Sequence, residues 1–262
     1  YMKDLAYQAI QNICVFLGEL YPRRHNGDLP NLEDVLECLT NFDLVEDLCE
    51  DLKKEPDLVE KYKFQLAYFE QHFYKDSTRR KDMERYVHFA TAELENLLRA
   101  GSVRDIICNR TNNLDFNKVL QDGEVVLLCT RPADIGGTAH AGFGRFFLTL
   151  LMCAVEGRPG SDKTRIPYFL YVDEFDKYAS PFFSDMVTLY RKYRVGTILA
   201  VPTLSSLGGA SSPFMQTLLS NCPTKIHLVI VLQKNMHGGK KNLDKDVNGL
   251  HLIVIHQTKL MV

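Results

Sequence analysis

The chain lacks the patterns that would take it out of the ordinary globular class. Its seven cysteines are scattered, odd in number and nowhere at CxxC spacing. That argues against a disulfide framework and for reduced thiols in a cytosolic setting. The longest apolar run, "FFLTLLMCAV" at 146–155, falls far short of the roughly 20 residues a membrane span requires. No signal-peptide pattern opens the chain. A formal net charge of -2 excludes a globally basic or acidic surface. No Ser-His-Asp or Cys-His context marks a nucleophile. His237, His251 and His256 lack compact spacing with cysteine or carboxylate, so they do not read as a metal site. Tryptophan is absent, and the chain begins at Tyr1 rather than Met, as a piece cut from a longer chain would.

What is present changes character near residue 105. Residues 1–105 read as an all-helical domain, with apolar residues at three- and four-residue spacing. Asn31 with Asp34 has the form of an N-cap region, and Gly101 that of a C-cap. From 106 to 231 short continuous apolar runs alternate with helical patterns: "EVVLLCT" (124–130), "YFLYVDEF" (168–175), "GTILAV" (196–201) and "KIHLVIV" (225–231). Continuous apolarity predicts strands buried on both faces, and the alternation predicts an α/β fold with a mainly parallel sheet. Residues 232–262 form a separate tail.

One strand run ends in two adjacent carboxylates, Asp173 and Glu174. In open α/β sheets, sites form at the carboxyl ends of strands. A carboxylate there can hold the water shell of Mg²⁺, and its neighbour can orient or deprotonate a water, as in a Walker B motif. The pair alone also suits a strand leaving the core through a solvated acidic turn.

The surrounding order is more specific. "LDFNKVLQDGEVVLLCT", "GFGRFFLTLL", "PYFLYVDEFDKYASPFFSDMVTLYRKYRVGTILAV" and "LLSNCPTKI" follow one another. This string resembles the conjugation and type IV secretion ATPases of the HerA/FtsK superfamily, particularly TraG/TraD-like coupling proteins, over most of residues 80–228. The resemblance implies a RecA/FtsK-like P-loop ATPase core preceded by an all-α insertion. It implies Asp173 as the Mg²⁺ carboxylate, Glu174 as catalytic base, and Arg191 with Lys192 facing nucleotide phosphate, a neighbouring subunit or DNA. It further implies ATP and Mg²⁺ as cofactors, non-sequence-specific DNA and secretion-system proteins as partners, a homo-hexamer, and a cytoplasmic place at the inner face of the membrane.

Three departures accompany the resemblance. No GxxxxGK[ST] phosphate cradle is present; "GRPGSDKTR" (157–165) has Asp162 where the second glycine belongs and precedes a strand instead of a helix. The family's cradle lies before its helical insertion, which would be upstream of Tyr1. Pro202 stands where the family's strand ends in glutamine, and Gln216 is too far along to replace it. The tail does not resemble the family. Under one choice of codons, reading Gln233–Gly249 two bases later spells a tryptophan-containing passage similar to the family's, so the tail is expected to be out of frame. The competing expectation is a non-catalytic, degenerate ATPase-like interaction module.

Overall fold

A computed structural model describes residues 2–137, 139–208, 212–229 and 249–255. The chain divides into two compact units, Tyr1–Asn113 with Thr130–Phe143, and Leu114–Cys129 with Gly144–Val262.

The first unit is helical. It comprises α1 (Met2–Arg24), α2 (Leu32–Thr40), α3 (Phe42–Lys53), α4 (Pro56–Lys61), α5 (Lys63–Phe69), α6 (Ser77–Leu98) and α7 (Gly101–Ile107). A π-turn at Glu70–Tyr74 follows α5. Its apolar stripes meet in one core around Ile13, Phe16, Val45, Leu52, Phe69 and Phe73. The polar residues between the stripes fix where helices begin. The Asn31 side chain accepts the amides of Glu33 and Asp34, and the Asp34 carboxylate accepts the Asn31 amide at 2.7 Å, a complete capping box. Arg110 then grips both oxygens of Asp34 at 2.9 and 3.0 Å. Gly101 does not close α6; it opens α7, after a cap at Arg99.

Glu19 is the electrostatic centre of this unit. It accepts from Lys61 at 2.8 Å, Tyr62 at 2.5 Å and Arg23 at 2.6 Å. These donors, Lys61 foremost, hold its carboxyl down at about 2 against an ordinary value of 4.5. A depressed carboxyl contributes stability that is complete above its unfolded pKa and is lost as pH falls through the folded one. Stability should therefore decline between pH 4.5 and 2, and Glu19→Gln should flatten that decline. Urea midpoints across this range provide the check, and parallel declines in the two proteins would remove the assignment.

The second unit holds the sheet. After α8 (Phe116–Asp122), with α9 (Pro132–Ile135) belonging to the first unit, α10 (Ala139–Glu156) begins in the first unit and continues in the second. Strands β1 (Tyr168–Val172), β2 (Val195–Val201), β3 (Thr224–Val229) and β4 (Gly249–Ile255) follow, with α11 (Ser184–Thr188) and α12 (Pro213–Asn221) between them. The spatial order is β1-β2-β4-β3. Only β1 and β2 run parallel; β4 is antiparallel to both β2 and β3.

This corrects the expected fold class. Among the described residues the mainly parallel sheet of a RecA/FtsK-like core does not form: one parallel pair is outweighed by two antiparallel ones amid mostly helical structure. Residues 124–130 make no strand, and Val125 and Leu127 stand 84% and 92% exposed. The strands are also not buried on both faces. In β2 the alternate residues Val195, Thr197, Leu199 and Val201 are buried, while in β1 Phe169 and Tyr171 face outward. Continuous apolar sequence here serves a sheet covered on one face, by Leu151, Val155, Met186, Tyr190 and Leu218 among others.

The tail expectation falls partly outside the described residues, since 230–248 and 256–262 are not among them. Where the tail is described, β4 pairs on both sides within the sheet. A segment read out of frame has no selected reason to complete a sheet, so this pairing counts against the slip.

Arg158 joins the pieces of the sheet unit. It is 5% exposed. One terminal nitrogen donates to the Leu120 carbonyl at 2.5 Å and the Ile166 carbonyl at 2.7 Å, and the other to the Tyr193 carbonyl at 2.9 Å. Those carbonyls lie in the last turn of α8, just before β1 and just before β2. Burial, with Arg165 and Arg194 nearby, pushes its pKa down. Arg158→Met should strand three carbonyls without a donor and cost about 3 kcal/mol in urea unfolding. Lysine should recover only part of that, because one ammonium cannot reproduce the fork. A methionine variant as stable as the parent would show that the carbonyls are otherwise satisfied.

Candidate functional site

The site is built at the carboxyl end of β1. After Val172 the chain passes through Asp173 and Glu174, then a 3-10 turn at Phe175–Lys177. Glu174 takes φ 47° and ψ 42°, the left-handed region. Glutamate has no intrinsic reason to be there, since its Cβ crowds the following carbonyl. The loop is held from both sides. Before Glu174, the Asp173 Oδ1 accepts the Glu174 amide at 2.9 Å. After it, the Glu174 carbonyl accepts the Lys177 amide, and Phe175 is fully buried with its ring 6.4 Å from that of Phe214.

Helix α10 supplies a second anchor. A Cβ at Gly144 would lie 2.4 Å from the Tyr178 ring, so only glycine lets the ring sit against the helix. The neighbouring Arg145 Nε donates to the Tyr178 carbonyl at 3.2 Å. Gly144 and Arg145 of "GFGRFFLTLL" therefore brace the end of the acidic loop. Neither that contact nor Asp176 was visible as a site feature in the sequence. The Asp176 side chain is 9% exposed and its Oδ1 is buried without a partner; Lys177 stands 3.9 Å from the other oxygen.

Asp173 and Glu174 are brought together, both exposed and neither ion-paired. By extension of the register that sets Val172 beside Leu199, Pro202 falls at this same end of the parallel pair. Arg191 and Lys192 do not join them. They are exposed on the 3-10 turn Tyr190–Tyr193 that precedes β2, whose first residue pairs with Tyr168. Roughly 15 Å of strand separates that end from the carboxylates. The segment 157–165 is a turn-rich connection leading into β1, with Arg158 and Arg165 spent on backbone carbonyls. Among the described residues, no group of three or more His, Cys, Asp and Glu side chains is arranged to hold a metal ion. No helix among them is long and apolar enough to cross a membrane.

No family model, curated protein or solved structure matches the chain.

The strain at Glu174 has a measurable consequence. Glycine at this position should raise stability by up to about 1 kcal/mol, the gain in the left-handed region less glycine's added unfolded-state freedom. Valine should lower it, because a β-branched side chain tolerates positive φ least. Chemical denaturation of the three proteins gives the order directly. A valine variant equal to the parent would mean that the loop does not hold this conformation.

Proposed function

We propose that Asp173 and Glu174 form the acidic part of a metal-dependent nucleotide-hydrolysing site, within a DNA-moving ATPase of the conjugation and type IV secretion kind. The observation that carries the reading is Glu174 itself: an exposed carboxylate in a left-handed backbone at a strand's carboxyl end. Strain of this sort persists where surrounding structure enforces it, and it clusters at functional sites. Glu174 would take a proton from an attacking water. Asp173 is exposed and has one oxygen on the loop amide, which suits the hydration shell of Mg²⁺ better than a closed ligand set. The described residues fit the metal and water side of such a site. They do not fit its phosphate side, because no glycine-rich cradle between a strand and a helix accompanies the pair. On this reading DNA and secretion-system proteins are the partners, a homo-hexamer is the working form and the inner face of the membrane its place. Arg191 and Lys192, at the far end of the strands, would serve a neighbouring subunit or DNA.

A second reading is favoured by Pro202 and the missing cradle: a non-catalytic module that binds a partner protein. One experiment separates the two. In the longest gene product that contains this chain, Glu174→Gln should keep MgATP binding and lose phosphate release, while Asp173→Asn should weaken the Mg²⁺-dependent part of binding. Calorimetry with a phosphate-release assay reads both. Absence of ATP turnover in the unaltered product, or turnover that survives both substitutions, would leave the module reading.

A further inference from the structure

Cations in the helical unit fall into two groups. Away from α6, each Lys and Arg whose side chain is described sits against a carboxylate, as Arg23 does on Glu19 and Lys53 on Glu50 and Glu70. Arg80 reaches across to α3, pairing with Asp43 there and with Glu84 on its own helix. Lys75, Arg79, Lys81, Arg85 and Arg99 are different. All lie on α6 or at its ends, and none has an acidic partner; Arg79 reaches only the Gln71 carbonyl.

The arrangement along the helix is ordered. Met83, Val87 and Thr91 face the core, so the opposite side is presented outward. There Lys81, Arg85 and Phe89 follow at four-residue steps, close to one helical turn each, and form one exposed stripe. Phe89 is 66% exposed, although an aromatic ring on a helix surface gains nothing from water. The acidic residues nearby offset the stripe little. Asp76 is engaged in capping α6 through the Thr78 amide, and Glu84 is held by Arg80. Asp82 alone shares the exposed side in this stretch, and Glu93 and Glu95 end the cationic run beyond Phe89.

We propose that this face of α6 binds single-stranded nucleic acid. Unpaired cations along a rigid helix would track the phosphates, releasing condensed counterions. The Phe89 ring, level with them, offers a stacking platform for a base, which a duplex keeps covered. The abundance of Asp and Glu on α2, α3 and α4 repels a polyanion from the rest of the unit and so confines it to this face. The surface deepens the DNA partnership above but does not depend on the carboxylate pair.

Fluorescence anisotropy with a labelled oligo-dT on the order of 20 nucleotides tests it, in the whole chain and without ATP. Binding should be measurable at low salt, with a log-log salt slope of about -2 to -3 for four phosphate contacts. Lys81→Glu with Arg85→Glu should weaken binding at least tenfold and make the slope shallower. Phe89→Ala should weaken it roughly tenfold and leave the slope unchanged. Binding is read without ATP or Mg²⁺, which keeps this result apart from any failure of the hydrolytic reading. Circular dichroism of each variant verifies that α6 is retained. The proposal is overturned if the parent does not bind, if the charge reversal binds like the parent, or if a duplex of equal length binds as tightly as the single strand.

Discussion

A buried guanidinium without a counter-ion sets the frame of the sheet unit. Taking Arg158 out of water is costly, and the proximity of Arg165 and Arg194 adds to the cost. Three carbonyls offset it, and their positions explain why the position needs an arginine. Leu120 lies in the last turn of α8, where carbonyls lack intrahelical donors and carry partial negative charge. Ile166 and Tyr193 lie where the chain enters β1 and β2. A planar fork can serve all three from one point; an ammonium cannot. The starts of two parallel strands and the end of a helix are thereby held at fixed separations. Arg165 extends the same device, donating to the carbonyls of Pro159, Lys192 and Arg158.

With the strand starts fixed, the geometry at their far ends follows. β1 and β2 run side by side from this anchor, so Val172 arrives beside Leu199. The chain must then turn sharply out of the sheet. Phe175 is drawn into the core, and Tyr178 is pressed against the bare backbone of Gly144. Glu174 lies between these constraints and adopts positive φ because the buried ring after it and the strand before it leave little choice. The conformational cost is met by packing elsewhere, and the result is a solvent-exposed carboxylate on a constrained backbone. The same parallel register explains why Arg191 and Lys192 are remote: they stand at the anchored end, with the strands between.

Much of this was legible from residue patterns, and the limits are physical. Helical periodicity announced helices over 1–105, whereas the compact unit runs to Asn113 and takes in Thr130–Phe143; Asn31 with Asp34 announced a cap that the structure completes with reciprocal bonds. The runs at 168–175, 196–201 and 225–231 each overlap a strand. The run 124–130 has equal apolarity and forms none, because strand formation depends on a neighbouring edge and not on the segment alone. The direction of pairing was misjudged for a related reason: β4 lies far along the chain, and no local pattern says that it will enter between β2 and β3. Asp173 and Glu174 were singled out from residue type and position at a strand end. The left-handed turn that aims them was not, since φ at a glutamate is decided by Phe175 and Phe214 packing. Nothing local in "GRPGSDKTR" distinguishes Arg158, because its role depends on carbonyls at Leu120, Ile166 and Tyr193.

Charge placement is the least visible of these features in a linear reading, because it depends on which residues meet. A basic cluster at 75–85 is plain in the sequence, yet its members have different fates. Arg80 is absorbed by Asp43 and Glu84 and works as structure, an ion-pair link from α6 to α3. Arg79, Lys81 and Arg85, one to five positions away, remain in solvent because the helical repeat turns them from those carboxylates. Surface ion pairs contribute little stability individually, so satisfying these cations would have gained the fold almost nothing. Leaving them unpaired beside an exposed ring costs the fold almost nothing either. What it changes is the local field, which in a chain of net charge -2 is otherwise dominated by acidic helices. A like-signed stretch of this kind does not follow from the demands of packing or capping. It is better understood as a surface shaped by something negatively charged that meets it.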